Sequence, residues 1–195
     1  MTPRAAVVER ALTEGDGDGA VAATVVVVVG SILLALRPVS DVSADTRVLL
    51  FAATYLTIGL ASIATLGDGD RPHLSPLTAL VGGGAAIGMA AWIAGPMVPS
   101  PWSAAALPLS LLAAVAEEAL FRRVAYARLE RFGAVVAIAG SALLFGLVHV
   151  PAYGLAALPV DIGAGLLFGW QRWASGTWTV PAATHAFANA VVILR

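Results

Sequence analysis

Long apolar runs, separated by short polar or proline-rich breaks, dominate the pattern along the chain, and their lengths predict membrane-crossing helices. A helix needs about 20 apolar residues to cross the hydrocarbon core, with about 17 the lower limit. Runs of this kind cover Ala20–Leu36, Val48–Leu66 and Leu77–Gly95, then Ser103 to about Phe121 and Gly133 to about Tyr153. Two shorter or interrupted runs follow, Leu158–Trp170 and Trp178–Leu194. The stretch "GPMVPSPW" divides the third helix from the fourth. Pro151, Pro159 and Asp161 interrupt the chain between Val150 and Gly176. The prediction is an all-α, polytopic transmembrane bundle of about seven helices, six at fewest and eight at most. It divides into a polar tail (1–19), a first set of transmembrane helices (20–100) and a second, polar-studded set (101–195). The tail carries "EGDGDG" and reads as disordered. The run from Ala20 starts too late, and lacks the basic flank, for a cleaved signal peptide.

Composition sharpens this picture. Of 195 residues, 59% are hydrophobic and only 12% charged, against about a quarter charged in soluble domains. Mean hydropathy is +0.87. So little polar surface cannot cover a globule in water, which makes the lipid bilayer the chain's solvent. A net charge of −1 argues against nucleic acid, which calls for a basic stripe. The absence of cysteine excludes disulfides, thiolate catalysis and cysteine-ligated zinc. All eleven cations are arginine in an Ala/Gly/Val-rich background, which suggests a GC-rich prokaryotic genome and hence a multi-pass protein of the cell membrane. By the positive-inside rule, the cluster Arg122, Arg123, Arg128 and Arg131 is cytoplasmic. Alternation then places Arg4, Arg10, Arg71 and Arg172 inside and Arg37, Arg47 and Arg195 outside, with the N-terminus cytoplasmic.

Against this background four polar patterns stand out: "EEALFR" (Glu117 to Arg122), "FGLVH" (Phe145 to His149), Asp161 in "PVDIGAG", and "HAFAN" (His185 to Asn189). No ionisable residue occurs between Leu74 and Ala116, so the glutamate pair closes a long apolar stretch. Charged groups at bilayer depth cost several kcal/mol and mark function or pairing. Residues four apart share a helix face, so Glu118 can pair with Arg122 while Glu117 has Phe121 at the equivalent position. Glu117 is therefore the candidate base, since a desolvated carboxylate gains the basicity that a general base near neutral pH needs. His185 and Asn189 share a face, as do Phe145 and His149. A turn near Gly133 leaves Glu117 and His149 equally far along antiparallel helices, which sets them level. Each pattern also has a plainer reading: an interfacial ion-pair cluster with Arg122 and Arg123, or histidines that bond helix to helix. His73 reads as a solvated loop residue and the tryptophans as interfacial anchors.

Taken in order and separation, "EEALFR", "FGLVH" and "HAFAN" resemble the three motifs of the CAAX protease and bacteriocin-processing (Abi) family, intramembrane endopeptidases that include the prenyl-protein proteases. The resemblance covers about Ser103 to Val192 and makes 101–195 the catalytic core. It implies that Glu117 activates the attacking water, with His149 helping to orient it. It further implies that His185 and Asn189 stabilise the oxyanion, and that Glu118 and Arg122 hold the helix in register. Asp161 lies outside the family's core pattern and either lines the cavity or marks a helix end.

The leading expectation is an endopeptidase using a glutamate-activated water, without cofactor or metal, on peptide or membrane-protein substrates. A zinc version would use Glu117, His149 and His185 as ligands. A non-catalytic scaffold or immunity-type protein, and a proton-relaying transporter, are the readings from other classes. Because Arg122 is taken to lie at the inner interface, the active site is expected to open to the cytoplasm.

Overall fold

A computed structural model of the chain describes residues 3–36, 43–65, 72–94 and 106–194, with side chains from Gly19 onward. Seven helices make up the described fold, and it contains no strand. They are α1 (Pro3–Leu36), α2 (Ala44–Thr65), α3 (Pro76–Ala94), α4 (residues 106–130), α5 (Ala134–Tyr153), α6 (Leu158–Ser175) and α7 (Thr179–Leu194). The α4 helix is continuous but changes pitch: α-helical over Ala106–Glu118, π-helical over Ala119–Ala125, α-helical again over Tyr126–Glu130. A single 3-10 turn, Leu155–Ala157, joins α5 to α6.

The apolar runs locate these helices to within a few residues. Two extend beyond expectation. The first helix begins at Pro3, so the segment read as a disordered tail is helical; Ala5, Ala6, Glu9, Arg10, Ala11 and Leu12 are strong helix formers that continue the span outward. The fourth continues past Phe121 to Glu130 because its arginines find partners inside the bundle. The segment containing "GPMVPSPW" falls mostly outside the described residues, as do Arg37, Arg71 and Arg195.

Local chemistry sets the helix starts. Ser43 and Ser75 sit just before α2 and α3, and their hydroxyls accept the backbone N–H of Thr46 (3.3 Å) and Thr78 (3.1 Å). These are N-cap bonds, reinforced in α3 by Pro76 at the first helical position. At the other end of α6, Gly176 adopts φ 70° and its N–H returns to the Arg172 carbonyl at 3.0 Å. That left-handed stop favours glycine.

Four helical segments, Gly19–Leu36, Ala44–Thr65, Pro76–Ala94 and Ala134–Tyr153, are long and apolar enough to cross a membrane. Their outer faces expose large apolar side chains such as Val81, Trp92 and Val135, as lipid-facing surfaces do. Inside, Leu34, Tyr55, Ile58, Leu120, Phe121, Phe145 and Phe168 form one core. This is a polytopic membrane protein built as an all-helical bundle.

The tightest helix pair is α5 with α6, where small residues let the backbones meet. A Cβ added at Gly165 would lie 2.9 Å from the Cα of Ala142, and one at Gly169 would lie 3.2 Å from the Cα of Ile138. Backbone cannot yield as a flexible side chain can. Gly165→Ala is therefore expected to lower the thermal midpoint of unfolding. Gly163→Ala, where an added Cβ meets nothing within 4 Å, should leave it unchanged or raise it, since Ala favours a helix over Gly by roughly 1 kcal/mol. Equal destabilisation by both changes would refute the close-packing account.

Candidate active site

The π-helical turn follows directly after the glutamate pair and is buried throughout, Ala119 to Ala125. Such insertions recur at functional sites, and here the turn carries two arginines into the core. Arg122 is fully buried, as is Glu118. Its Nη1 donates to Glu118 Oε1 at 3.2 Å, and its Nε lies 3.2 Å from Oε2, so the guanidinium and carboxylate meet along two edges. The predicted i, i+4 pair is present. Arg122 Nη2 donates to the Gly165 carbonyl at 2.9 Å, and the guanidinium carbon lies 4.7 Å from the Phe145 ring centre and 5.4 Å from that of Phe168. Those contacts tie α4 to α5 and α6.

This corrects one expectation. Arg122 does not mark the membrane interface; it is an interior group whose charge is neutralised by Glu118. Arg123 is also buried, donating to the Ile63 carbonyl at 2.9 Å. Arg172, expected at the cytoplasmic surface, is buried too. Its Nε donates to the Arg122 carbonyl at 3.1 Å, and its guanidinium carbon sits 5.0 Å from the Tyr126 ring centre. Arg172 thereby braces the π turn from α6, a role the sequence reading missed. The available signal was its setting between Trp170 and Trp173 on an otherwise apolar helix.

Glu117 and His149 come together as the hairpin geometry predicted. His149 Nε2 lies 3.6 Å from Glu117 Oε2, with both side chains buried. The other ring nitrogen, Nδ1, lies 2.7 Å from the Phe145 carbonyl oxygen. A carbonyl can only accept, so Nδ1 carries the hydrogen. His149 Nε2 therefore faces the Glu117 carboxylate at a distance where a water can bridge the two groups. Phe145 packs on this imidazole at 4.6 Å between ring centres, and Tyr153 stacks on its other side at 5.7 Å and 13°. Tyr153 was not singled out from sequence, although it extends the Phe145–His149 spacing by one further turn.

His185 stands elsewhere than a site centred on Glu117 alone would require. Its Nδ1 hydrogen-bonds Glu118 Oε1 at 3.0 Å, and its ring stacks on Phe168 at 4.9 Å and 22°. Glu118 therefore binds both Arg122 and His185. With Glu118 ionised and paired to arginine, Nδ1 is the donor, which leaves Nε2 as the nitrogen free for substrate. Asn189, one turn further along α7, donates its amide to the Ser110 carbonyl of α4 at 3.0 Å; one of its two amide hydrogens is committed to holding α7 against α4. Glu117, His149, His185 and Asn189 nevertheless line one cavity of about 480 Å³. Among the described residues, no three His, Asp or Glu side chains are grouped so as to hold a metal ion.

The cavity is a shaft along the helices. Its far end is Glu117, and its mouth is formed by Arg47 and Val48 at the start of α2, Ala106 at the start of α4, Tyr153 at the end of α5 and Ile193 near the end of α7. His149 lies one turn below the end of α5. The turn between α4 and α5, with Arg131 exposed and Arg128 partly so, is at the opposite face of the bundle. The mouth and this arginine-bearing turn thus face opposite ways.

A second cavity, of about 370 Å³, lies on the other side of the same wall. It shares His149, Tyr153, His185, Asn189 and Val192 with the first and is otherwise bounded by α3, α5, α6 and α7. Asp161, in the first turn of α6, lines it. Both sequence readings of Asp161, helix start and cavity wall, hold.

Residues 99–191 match the family described as type II CAAX prenyl endopeptidase, Rce1-like. No curated protein matches the chain, and no solved structure does. The matched region takes in α4 to α6 and most of α7, which carry Glu117, His149, His185 and Asn189.

Proposed function

We propose that the chain, whose residues 99–191 match the Rce1-like family of type II CAAX prenyl endopeptidases, is an intramembrane CAAX-type endopeptidase that cleaves peptide bonds with a water activated by Glu117. The observation that carries this reading is the approach of Glu117 to His149, 3.6 Å apart at the closed end of a cavity. A water bonded to both groups would lose a proton to Glu117 as its oxygen attacks the scissile carbonyl carbon. The oxyanion so formed would lie against the Asn189 amide and His185 Nε2. With Nδ1 already donating to Glu118, His185 can donate from Nε2 only as imidazolium. As the carbon–nitrogen bond breaks, the proton held by Glu117 passes to the departing amine. The remaining hydroxyl proton of the new carboxyl group follows it to the amine, so the products are a carboxylate and an ammonium, and the site returns to its starting protonation.

The test is cleavage of a membrane-inserted peptide library by purified protein in liposomes. Cleavage should continue after exhaustive dialysis against a strong chelator. Loss of activity on chelation with recovery on adding zinc would replace the glutamate mechanism by a metal-dependent one. Absence of cleavage by well-folded protein would favour the scaffold reading.

Orientation belongs to the same proposal. Exposed Arg131 and part-exposed Arg128 favour a cytoplasmic α4–α5 turn, which turns the mouth to the extracytoplasmic side. The chain has no cysteine, so single cysteines are clean probes. Arg131→Cys should react with a membrane-impermeant thiol reagent only in inverted vesicles, and Asp45→Cys, beside the mouth, only in intact cells. Reversal of both would turn the mouth to the cytoplasm, and labelling of both from one side would break the two-faced geometry itself.

A further inference from the structure

His149 is nearly sealed from solvent, at 6% exposure, yet Tyr153, whose ring stacks on it, is 64% exposed. The exposed side chain covers the buried one. Phe145, His149 and Tyr153 stand four residues apart on one face of α5. Ring centres are 4.6 Å apart for Phe145 and His149, and 5.7 Å apart at 13° for His149 and Tyr153. Both fall within the roughly 4.5–7 Å span in which aromatic pairs attract. The helix stops directly after Tyr153, where Gly154 takes φ 77° and its N–H returns to the Val150 carbonyl at 2.8 Å. That left-handed backbone suits glycine and fixes the chain beneath the tyrosine. Tyr153 lines both cavities, as His149 does, so it stands where the two spaces meet, on the mouth side of the imidazole.

A histidine ring turns broadly about its last torsion. The contact of Nδ1 with the Phe145 carbonyl at 2.7 Å holds one edge of the ring without setting its plane, whereas stacking on both faces does set it. The plane decides where Nε2 points, and Nε2 is the atom 3.6 Å from Glu117 Oε2. We infer that Tyr153 is a positioning residue for peptide hydrolysis: its ring clamps the His149 imidazole against Phe145, covers it from the mouth, and so sets where His149 holds a water beside Glu117. This rests on the endopeptidase reading and adds to it a residue that acts through His149. A misplacement of about 1 Å can cost about a hundredfold in rate, so the clamp has a kinetic consequence. The plainer use of an exposed tyrosine near a helix end is anchoring at the membrane interface, which requires the polar tip of the side chain and not its stacking on a histidine.

The test compares Tyr153→Phe, which keeps the ring, with Tyr153→Leu, which keeps only an apolar side chain. Because Tyr153 is mostly exposed, both variants should fold. In cleavage of membrane-inserted peptide, Tyr153→Phe should stay within about twofold of the natural chain, and Tyr153→Leu should lose about tenfold to a hundredfold in kcat with KM unchanged. Equal loss in both variants would assign the effect to the hydroxyl, and a loss carried by KM would make Tyr153 a substrate contact. Either result overturns the positioning role, as does full activity in Tyr153→Leu. A second measurement needs no catalysis. Diethyl pyrocarbonate modifies accessible unprotonated imidazoles, and peptide mapping separates His149 from His73, which stacks on Trp173 at the far end of α6 and serves as the internal reference. Modification of His149 should be several-fold faster in Tyr153→Leu than in Tyr153→Phe or the natural chain, and an unchanged rate would overturn the cover whatever the kinetics. If the rate rises as expected but the natural chain cleaves nothing, the cover stands and the endopeptidase reading fails. If the natural chain cleaves and neither measurement separates Tyr153→Leu from Tyr153→Phe, that reading stands and the role of Tyr153 fails.

Discussion

Glu117→Gln is expected to lower kcat by about 10²–10⁴-fold, the range that a positioned general base contributes, with the protein still folded and inserted. The change is nearly isosteric and removes one charge from a side chain already 97% shielded, at 3% exposure. Glu117 is not half of the Glu118–Arg122 ion pair, so neutralising it strands no buried arginine. The thermal midpoint should therefore hold. Activity should fall through kcat and not through KM, because the lost group acts on water. Full activity in the purified variant would end the assignment of Glu117 as base. A fall in activity matched by collapse of the thermal midpoint would make Glu117 a structural group instead.

The opposite behaviour of two adjacent glutamates was legible in part. Hydropathy located all seven helices because lipid forces each span to be apolar over a fixed length. The i, i+4 rule separated Glu118 from Glu117, and equal hairpin arms set Glu117 level with His149. What the sequence could not supply were the tertiary partners. Periodicity orders residues on one helix, whereas the bond from His185 to Glu118 crosses from α7 to α4. Depth was misread for a similar reason. Hydropathy treats arginine as an interface marker, but Arg122 is placed in the core by a carboxylate on its own helix, a carbonyl on α6 and aromatic rings on α5 and α6. The π turn has no simple sequence signature, and without it Arg172 could be assigned a side of the membrane but not its role as a brace for the Arg122 carbonyl.

Glu118 carries the second large effect, and it should show in both stability and activity. Removing either partner of a buried ion pair leaves the other uncompensated and typically costs about 3–5 kcal/mol. Glu118→Gln and Arg122→Ala are each expected to fall in that range, since both side chains are completely shielded from solvent. Replacing the pair together by apolar residues, Glu118→Leu with Arg122→Met, removes both desolvated charges and should recover much of the lost stability. Activity should not recover with it. Glu118 is also the acceptor that fixes His185 Nδ1 at 3.0 Å, and without it the imidazole loses the bond that sets its tautomer and orientation. If Glu118 served only to hold α4 in register, a restabilised double variant would cleave peptide again. Stability regained with kcat still depressed is the result expected here. Activity regained alongside stability would reduce Glu118 and Arg122 to a structural pair and leave His185 to be oriented by its stacking on Phe168 alone.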